Sequence, residues 1–382
     1  MANPVTNETC RQHYIDWLRI LAVLLLIPFH TARLFDIWDP NYVKNAVLSP
    51  LLSYQNAFLW AWHMPLLFLL AGASTWYALD LRSGRGYLRE RFTRLFIPLV
   101  FGVLVVVPPQ AYLARLQHSG YTGSYLHFLP DYFIIRGDLT GYTGLFTPAH
   151  LWFILYLYVF SVVTLPFFLR GGKGARCIGW LAQRCEKPGV VFLWAVPLGL
   201  TGLLPAISDK NPFYYWVLFF YGYLLVADMR FHKIIERNRL LAMALGMLTM
   251  SAAMTLWVLR MHFPEKSVQD VLFHSLRTFN TWFWLIILLG YGRKYLNCSN
   301  SVKRYANEAA YPFYILHQTV IMFVGYYVVQ WDASVSIKYG FTMAASFALT
   351  LALYEIFVKR ISIMRFFFGM KPRDCNREKV VH

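Results

Sequence analysis

An arginine and a histidine lie in the first long apolar segment of the chain, with ten residues between them. This segment contains Arg19, Pro28 and His30. Eleven residues of an α-helix make about three turns, so Arg19 and His30 share one helical face and lie roughly 16 Å apart along the axis. A cation and a titratable base are costly inside a bilayer and mark a functional site by default. We therefore expect chemistry at Arg19 and His30, and we expect Pro28 to bend the helix beside His30.

Three further histidines fall at a similar depth in other predicted helices, namely His63, His150 and His317. One histidine in a membrane helix is usually an interhelical hydrogen-bonding group, but four at one depth predict a shared polar site. Neutral histidine can take a proton from a hydroxyl or can carry an acyl group, and the sequence leaves both roles open for His30. We expect His63 and His317 to orient His30 or to line the acceptor site. The predicted acceptor-binding residues are His150, Trp152 and Trp62.

Arginines follow the second apolar segment, and Arg91 and Arg94 are three residues apart, so they project from one side of a helical turn. The positive-inside rule alone predicts arginines at this place, whereas guanidinium pairs also bind phosphates. A polyphosphate held by Arg19, Arg91 and Arg94 would lie roughly 15–20 Å from His30, which is about the reach of a pantetheine arm. The spacing therefore predicts acyl-CoA as donor, with no permanently bound cofactor and no metal.

These residues require a membrane scaffold. Of the 382 residues 58% are hydrophobic and 14% are charged, whereas a soluble domain has about 25% charged residues. The fold class predicted from the recurring apolar runs is all-α, a polytopic integral membrane protein with about ten transmembrane helices. The predicted spans are 15–35, 53–79, 95–113, 150–169, 190–206, 213–229, 240–260, 271–291, 311–331 and 337–358. Most basic residues lie in alternate connections, which places both termini in the cytoplasm.

The net charge of +17 follows from this topology, because cationic loops face anionic lipid, and we therefore expect no nucleic-acid partner. All five cysteines fall on the predicted cytoplasmic side, with no metal-type spacing.

The predicted organisation is one membrane domain, 1–360, and a basic cytoplasmic tail, 361–382. The N-terminus shows no removable signal peptide, and a bacterial inner membrane is the expected location. The expected partners are the lipid bilayer, acyl-CoA and a hydroxyl acceptor, and a homo-oligomer is compatible with the sequence.

Several motifs in this order carry a family resemblance. They are Tyr14-Ile-Asp16-Trp-Leu-Arg19 with His30, Trp62-His63-Met-Pro, Arg91-Phe-Thr-Arg94, His150-Leu-Trp152-Phe and Tyr311-Pro-Phe-Tyr314-Ile-Leu-His317. The chain resembles the acyltransferase-3 family of integral membrane acyltransferases, and within it the glucan succinyltransferase-like branch. The resemblance implies transfer of an acyl group, of the acetyl or succinyl class, from cytoplasmic acyl-CoA to an extracytoplasmic hydroxyl, often on a carbohydrate.

The resemblance also assigns residues. It implies that Arg19 and His30 are the essential pair and that Arg91 and Arg94 form the arginine motif. One departure is Ala71 before Gly72, where many members of the family have serine. Any role of that serine hydroxyl is therefore absent, whereas Gly72 still permits close helix approach.

Two other function classes remain open at this stage. A transporter or exporter of an acylated saccharide or lipid would also use many spans and buried histidines. A structural scaffold would not explain Arg19 and His30. A succinyl donor would want an extra cation near His30, and Arg33, one turn further along, is predicted to supply it.

Overall fold

The computed structural model describes residues 12–136, 139–169, 171–208, 210–259, 261 and 263–371. These residues form α-helices, and among them no β-strand occurs beyond an isolated bridge between Ile207 and Lys210. The helices are α1 (His13–Leu24), α2 (Leu26–Ala32), α3 (Pro50–Trp60), α4 (His63–Asp80), α5 (Gly84–Arg91), α6 (Ile97–Phe101), α7 (Pro108–Ser119), α8 (Tyr125–Tyr132), α9 (Trp152–Leu169), α10 (Gly171–Cys185), α11 (Ala195–Gly202), α12 (Pro212–Ala227), α13 (Met229–Val258), α14 (Val268–Tyr295), α15 (Ser301–Val328), α16 (Val335–Leu353) and α17 (Ser362–Phe367). Short π-helical turns at Phe92–Phe96, Gly102–Val106 and Tyr354–Val358, and 3-10 turns at Ala149–Leu151 and Val190–Trp194, extend neighbouring helices. The predicted all-α class is confirmed.

Seven helical stretches in the described residues are long and apolar enough to cross a membrane. They are His13–Ala32, Pro50–Asp80, Gly84–Ser119, Ala149–Leu169, Met229–Val258, Val268–Tyr295 and Val335–Val358. Predicted spans 190–206 and 213–229 correspond to shorter apolar helices, and predicted span 311–331 corresponds to the second half of α15. The protein is therefore an integral membrane protein, while the count of ten stays a prediction. The cytoplasmic placement of both termini also stays a prediction, because residues 1–11 and 372–382 lie outside the described residues.

Polar side chains and prolines set where the helices begin. The side chain of Asn300 accepts a hydrogen bond from the Lys303 amide at the start of α15, and Asn211 does the same for Tyr214 in α12. Such caps satisfy backbone amides that have no partner inside the helix. Helices α3, α7 and α12 begin with proline in the first turn, where its missing N–H costs nothing.

The first membrane segment breaks between α1 and α2 at Leu25. Pro28 has no N–H for the carbonyl of Leu24, four residues earlier, so one helical hydrogen bond is missing at this place. The carbonyl of Pro28 in turn accepts a hydrogen bond from Nε2 of Gln55, at 3.1 Å. The helix is thus interrupted close to Pro28, and the bend expected there stays a prediction.

Helices α4 and α12 pack backbone against backbone through two glycines. A Cβ atom added to Gly222 would collide with the carbonyl oxygen of Leu69, and one added to Gly72 would collide with that of Phe219. Small residues let membrane helices approach this closely. The role expected for Gly72 is confirmed, and the contact holds α4, which begins at His63, against the bundle.

The Gly222→Ala substitution should destabilise the protein, because the new methyl group meets a backbone atom that cannot rotate away. Overpacking of this kind costs about 1–3 kcal/mol. Thermal unfolding in detergent measures the effect. Gly340→Ala is the matched control, because a Cβ there has no heavy atom within 4 Å. Equal melting temperatures for the two variants would contradict the close packing of α4 and α12.

Candidate active site

Three of the predicted histidines form a contiguous group, which we call the histidine cluster: His30, His150 and His317. The His317 ring centroid lies 5.2 Å from that of His30 and 5.0 Å from that of His150. The fourth, His63, is separated from His30 by the ring of Phe29, whose centroid lies 5.1 Å from His30 and 6.3 Å from His63. Histidines from three separate parts of the chain therefore meet at one place, and the fourth lies behind Phe29.

Backbone carbonyls fix the orientation and tautomer of three imidazoles. Nε2 of His63 donates to the Ala22 carbonyl at 2.6 Å, and Nε2 of His150 donates to the Ile315 carbonyl at 2.9 Å. Nδ1 of His317 donates to the carbonyl of Tyr314, one turn earlier in the same helix, at 2.6 Å. A carbonyl only accepts, so the proton of each neutral ring sits on the bonded nitrogen and the other nitrogen keeps its lone pair.

Two of these lone-pair nitrogens are buried without a hydrogen-bond partner among the described residues, Nε2 of His317 and Nδ1 of His150. A buried polar atom left without a partner costs free energy, so its presence calls for an explanation such as a bound substrate or a catalytic role. Nothing among the described residues hydrogen-bonds to the ring of His30. The cluster therefore holds neutral bases that are free to accept a proton.

The three predicted arginines line one cavity of about 450 Å³, which we call the basic cavity. Arg19 comes from α1, Arg91 ends α5, and Arg94 lies in the π-helical turn Phe92–Phe96 that follows. The volume lies within the range of about 300–1,000 Å³ that is usual for small-molecule sites. The structure thus brings together guanidinium groups from two separate segments, as an anion-binding site requires.

Each arginine has a distinct surrounding. Arg19 forms an ion pair with the buried Asp16, which also lies 3.7 Å from the Lys303 ammonium. The Arg91 guanidinium lies 4.7 Å above the Tyr87 ring, and its Nε is buried with no hydrogen-bond partner in the described part of the chain. Arg94 reaches Glu90 at 3.4 Å.

The basic cavity ends next to the histidine cluster. Its lining residues include Leu67, Phe153 and Tyr314, the lining positions nearest in sequence to histidines on three elements. One turn further along each of these elements stand His63, His150 and His317, because residues three or four apart occupy the same helical face. Arg19 to His30, Ser74 to His63 and Glu308 to His317 span about 16, 16 and 14 Å of helix. The distance from the arginines to the histidines is therefore about that of an extended ligand arm, although no histidine of the described residues lines the cavity itself.

Tyr314 joins the two features directly. It lines the basic cavity, its hydroxyl donates to the carbonyl of His150, and its own carbonyl accepts from His317. Its ring centroid lies 5.7 Å from both imidazoles. Sequence reasoning quoted Tyr314 and Tyr311 in a motif without giving them a role. The signal was present, because Tyr311, Tyr314 and His317 recur at three-residue spacing along one helical face.

Arg33 lies in a separate polar network beyond the end of α2. Its guanidinium donates to Asp36 at 2.9 Å and to the carbonyls of Trp38 and Pro40. The fully buried Asp36 also accepts hydrogen bonds from Lys44 and Asn56. Burial lowers the pKa of Lys44, and its hydrogen bond with Asp36 opposes that shift. Arg33 therefore holds the loop after α2, and its predicted contact with a substrate stays a prediction.

The two predicted tryptophans pack against different aromatic partners near the cluster. Trp62 is buried, and its ring centroid lies 6.0 Å from that of His63. Trp152 packs against Phe68 and Tyr215 at ring-centroid distances of 5.9 and 5.2 Å. They flank the histidines and do not form one stacking surface.

Residues 362–371, placed by sequence reasoning in a tail, also line the basic cavity where the structure describes them, through Arg365 and residues 368–371. No periodic pattern in this short basic segment indicates that contact. The remainder of the predicted tail, 372–382, lies outside the described residues.

Comparison with known proteins agrees with this geometry. A family model described as an acyltransferase domain matches residues 12–355. "Glucans biosynthesis protein C" of Salmonella paratyphi B and that of Salmonella typhi are each 23% identical over 390 residues, covering 95% of this chain and 95% of the relative. No solved structure matches. The family match covers most of the chain and contains Arg19, the arginine pair and all four histidines, so the protein belongs to this family of membrane acyltransferases.

Proposed function

We propose that this protein moves an acyl group of the acetyl or succinyl class from cytoplasmic acyl-CoA to a hydroxyl of an extracytoplasmic carbohydrate. The supporting observation is the basic cavity itself, which is lined by arginines at one end and stops one helical turn from the histidine cluster. Coenzyme A has the matching form, with phosphates at one end and the thioester at the end of a long arm. The donor is a substrate and is not a resident cofactor.

Arg19, Arg91 and Arg94 hold the donor phosphates. Guanidinium groups bind phosphate oxygens in pairs with fixed geometry, and a partly buried site strengthens each charge-assisted hydrogen bond. Asp16 positions Arg19 through their ion pair. The Arg91 Nε, which has no hydrogen-bond partner among the described residues, becomes available to an oxygen of the ligand.

The histidine cluster then supplies the chemistry, by one of two routes. In the first route, His30 takes the proton of the acceptor hydroxyl while the hydroxyl oxygen attacks the thioester carbonyl. The C–S bond then breaks, an ester forms, and His30 passes the proton to the leaving thiolate. In the second, an imidazole nitrogen attacks first, releases coenzyme A and then passes the acyl group to the hydroxyl. His317, whose ring contacts that of His30, orients it in either route, and His63, which lies behind Phe29, lines the acceptor site. Neither route needs a metal.

The acceptor approaches from the side opposite to the donor. Phe29 contacts His30 and stacks on Trp60 at 6.2 Å, and Trp60 is 46% exposed. This pair of rings links the surface of the protein to the cluster, and aromatic faces suit sugar rings. His150, Trp62 and Trp152 complete the proposed acceptor side. The relatives are named for glucan biosynthesis, which supports a glucan as the carbohydrate.

The bilayer is the proposed partner throughout, and a bacterial inner membrane is the proposed location. That membrane gives access to cytoplasmic acyl-CoA on one face and to extracytoplasmic glycans on the other. Neither reaction partner then has to cross the membrane, because the acyl group alone passes through the bundle.

His30→Ala should abolish transfer without abolishing donor binding, because His30 lies beyond the cavity that holds the phosphates. Loss of a general base lowers the rate by about 10²- to 10⁴-fold. Coenzyme A release from acetyl-CoA or succinyl-CoA, with a β-glucan oligosaccharide as acceptor, measures it. His127→Ala, which removes an exposed histidine, is the control. Release that survives in His30→Ala contradicts the assignment of His30, and no release by the wild type favours the transporter hypothesis.

Arg91→Ala should weaken coenzyme A binding by roughly 10- to 100-fold, since a hydrogen bond to a charged group is worth about 1.5–3 kcal/mol. Isothermal titration in detergent gives the dissociation constant. Arg89→Ala is the matched control, because Arg89 lies on the same helix but is exposed and does not line the basic cavity. Equal affinities for the two variants would show that the positive-inside rule alone explains Arg91.

Arg33→Gln should lower the use of succinyl-CoA relative to acetyl-CoA, because it removes a guanidinium one helical turn beyond His30 that would attract a succinyl carboxylate. Asp36 and Asp39 balance the charges of Arg33 and Lys44 in the absence of substrate, so the substitution leaves this network with a net negative charge. The ratio of coenzyme A release rates with the two donors measures the preference. An unchanged ratio would restrict Arg33 to holding the loop after α2.

A further inference from the structure

We propose that residues 362–371, which we call the C-terminal cap, form part of the donor site. Lys371 is a further phosphate-binding residue, and Arg365 and Gly369 are positioning residues. This inference rests on the proposed function. The cap consists of α17 and residues 368–371, and it supplies five of the residues that line the basic cavity. They are Arg365, Phe368, Gly369, Met370 and Lys371.

Gly369 lets the cap lie directly against the π-helical turn that carries Arg94. Its φ is +66°, and a Cβ atom there would lie 2.8 Å from the Arg94 carbonyl oxygen and 3.0 Å from the Tyr311 ring. Pro98 has no N–H for that carbonyl, so the carbonyl has no α-helical partner and the cap backbone can approach it. Only glycine combines this backbone conformation with this contact. The positions of the cap and of Arg94 are therefore coupled.

Arg365 keeps the cap closed on itself and on α15. Its guanidinium donates to the Lys371 carbonyl at 2.8 and 3.0 Å and to the Lys359 carbonyl at 3.3 Å, and it pairs with Glu308 at 3.3 Å. Its side chain is only 10% exposed. These bonds commit the guanidinium to the protein, so Arg365 positions the cap and neutralises Glu308, a carboxylate on the cavity wall that would otherwise repel phosphate.

Aromatic packing anchors the other face of the cap. The Phe367 ring stacks on that of Phe101 at 4.7 Å with an interplanar angle of 16°, and Phe368 lies 5.6 Å from the same ring. The segment is thus fixed at both ends. Lys371 lines the cavity and is exposed, so its ammonium adds to the charge of Arg19, Arg91 and Arg94. A ligand with several phosphates needs more than three cations for full pairing, and the cap provides the fourth.

Gly369→Ala in the full-length protein tests the proposal. The methyl group should push the cap off the π-helical turn, so we expect about a tenfold or larger rise in the dissociation constant for coenzyme A, the loss expected for a weakened charge-assisted contact. Turnover at saturating acyl-CoA should stay within about twofold, because the histidine cluster is untouched. Gly120→Ala is the matched control, since its φ is +60° and a Cβ there has no atom within 4 Å.

Two further measurements separate the outcomes. Lys371→Ala should weaken coenzyme A binding and raise the KM for acyl-CoA, and coenzyme A should protect the wild type from tryptic cleavage after Arg365. Wild-type affinity in both Gly369→Ala and Lys371→Ala overturns the cap proposal while the proposed function stands. A wild type that binds neither coenzyme A nor acyl-CoA overturns both.

Discussion

The rest of this structure depends on the hydrogen bonds that histidine rings donate to backbone carbonyls. Hydrocarbon offers no water to a buried polar group, so each ring must be satisfied by the protein itself. His63 of α4 donates to Ala22 of α1, and His150 donates to Ile315 of α15. The same bonds that join these helices also fix one proton on each ring. The second nitrogen is thereby left as a base, so packing and chemistry share one set of contacts.

Helix periodicity explains why the basic cavity and the histidine cluster are in register. The lining residues on α4 and α15, and those on α9 after the turn that carries His150, lie on the same helical faces as the histidines. The cavity and the cluster are therefore aligned by helical periodicity. Tyr314 lines the cavity and is hydrogen-bonded to His150 and His317, so it contacts both features. The glycine contact between α4 and α12 keeps one wall rigid. A long flexible ligand bound at one end is thereby presented to the bases at the other.

Local spacing predicted the parts of the site that lie on single helices. Similar depth in the predicted helices accounts for the contact of His30, His150 and His317, and three-residue spacing puts Arg91 and Arg94 on one cavity. Contacts between residues that are distant in sequence could not be predicted from local spacing. The pairing of Arg33 with Asp36 is local, at three-residue spacing, whereas the hydrogen bond from Asn56 to Asp36 joins residues twenty positions apart and has no local signal. The contact of Gly369 with the π-helical turn Phe92–Phe96 joins two distant parts of the chain, so the sequence of the short basic tail gives no sign of it.

The central claim is that donor and acceptor meet at the histidines from opposite faces of the membrane. Sealed proteoliposomes test it most directly, with acetyl-CoA or succinyl-CoA added outside and a β-glucan oligosaccharide trapped inside. We expect coenzyme A to appear outside and acylated glucan inside, with no product when the oligosaccharide is supplied only on the donor side. Acylation that requires both substrates on the same face would contradict the claim.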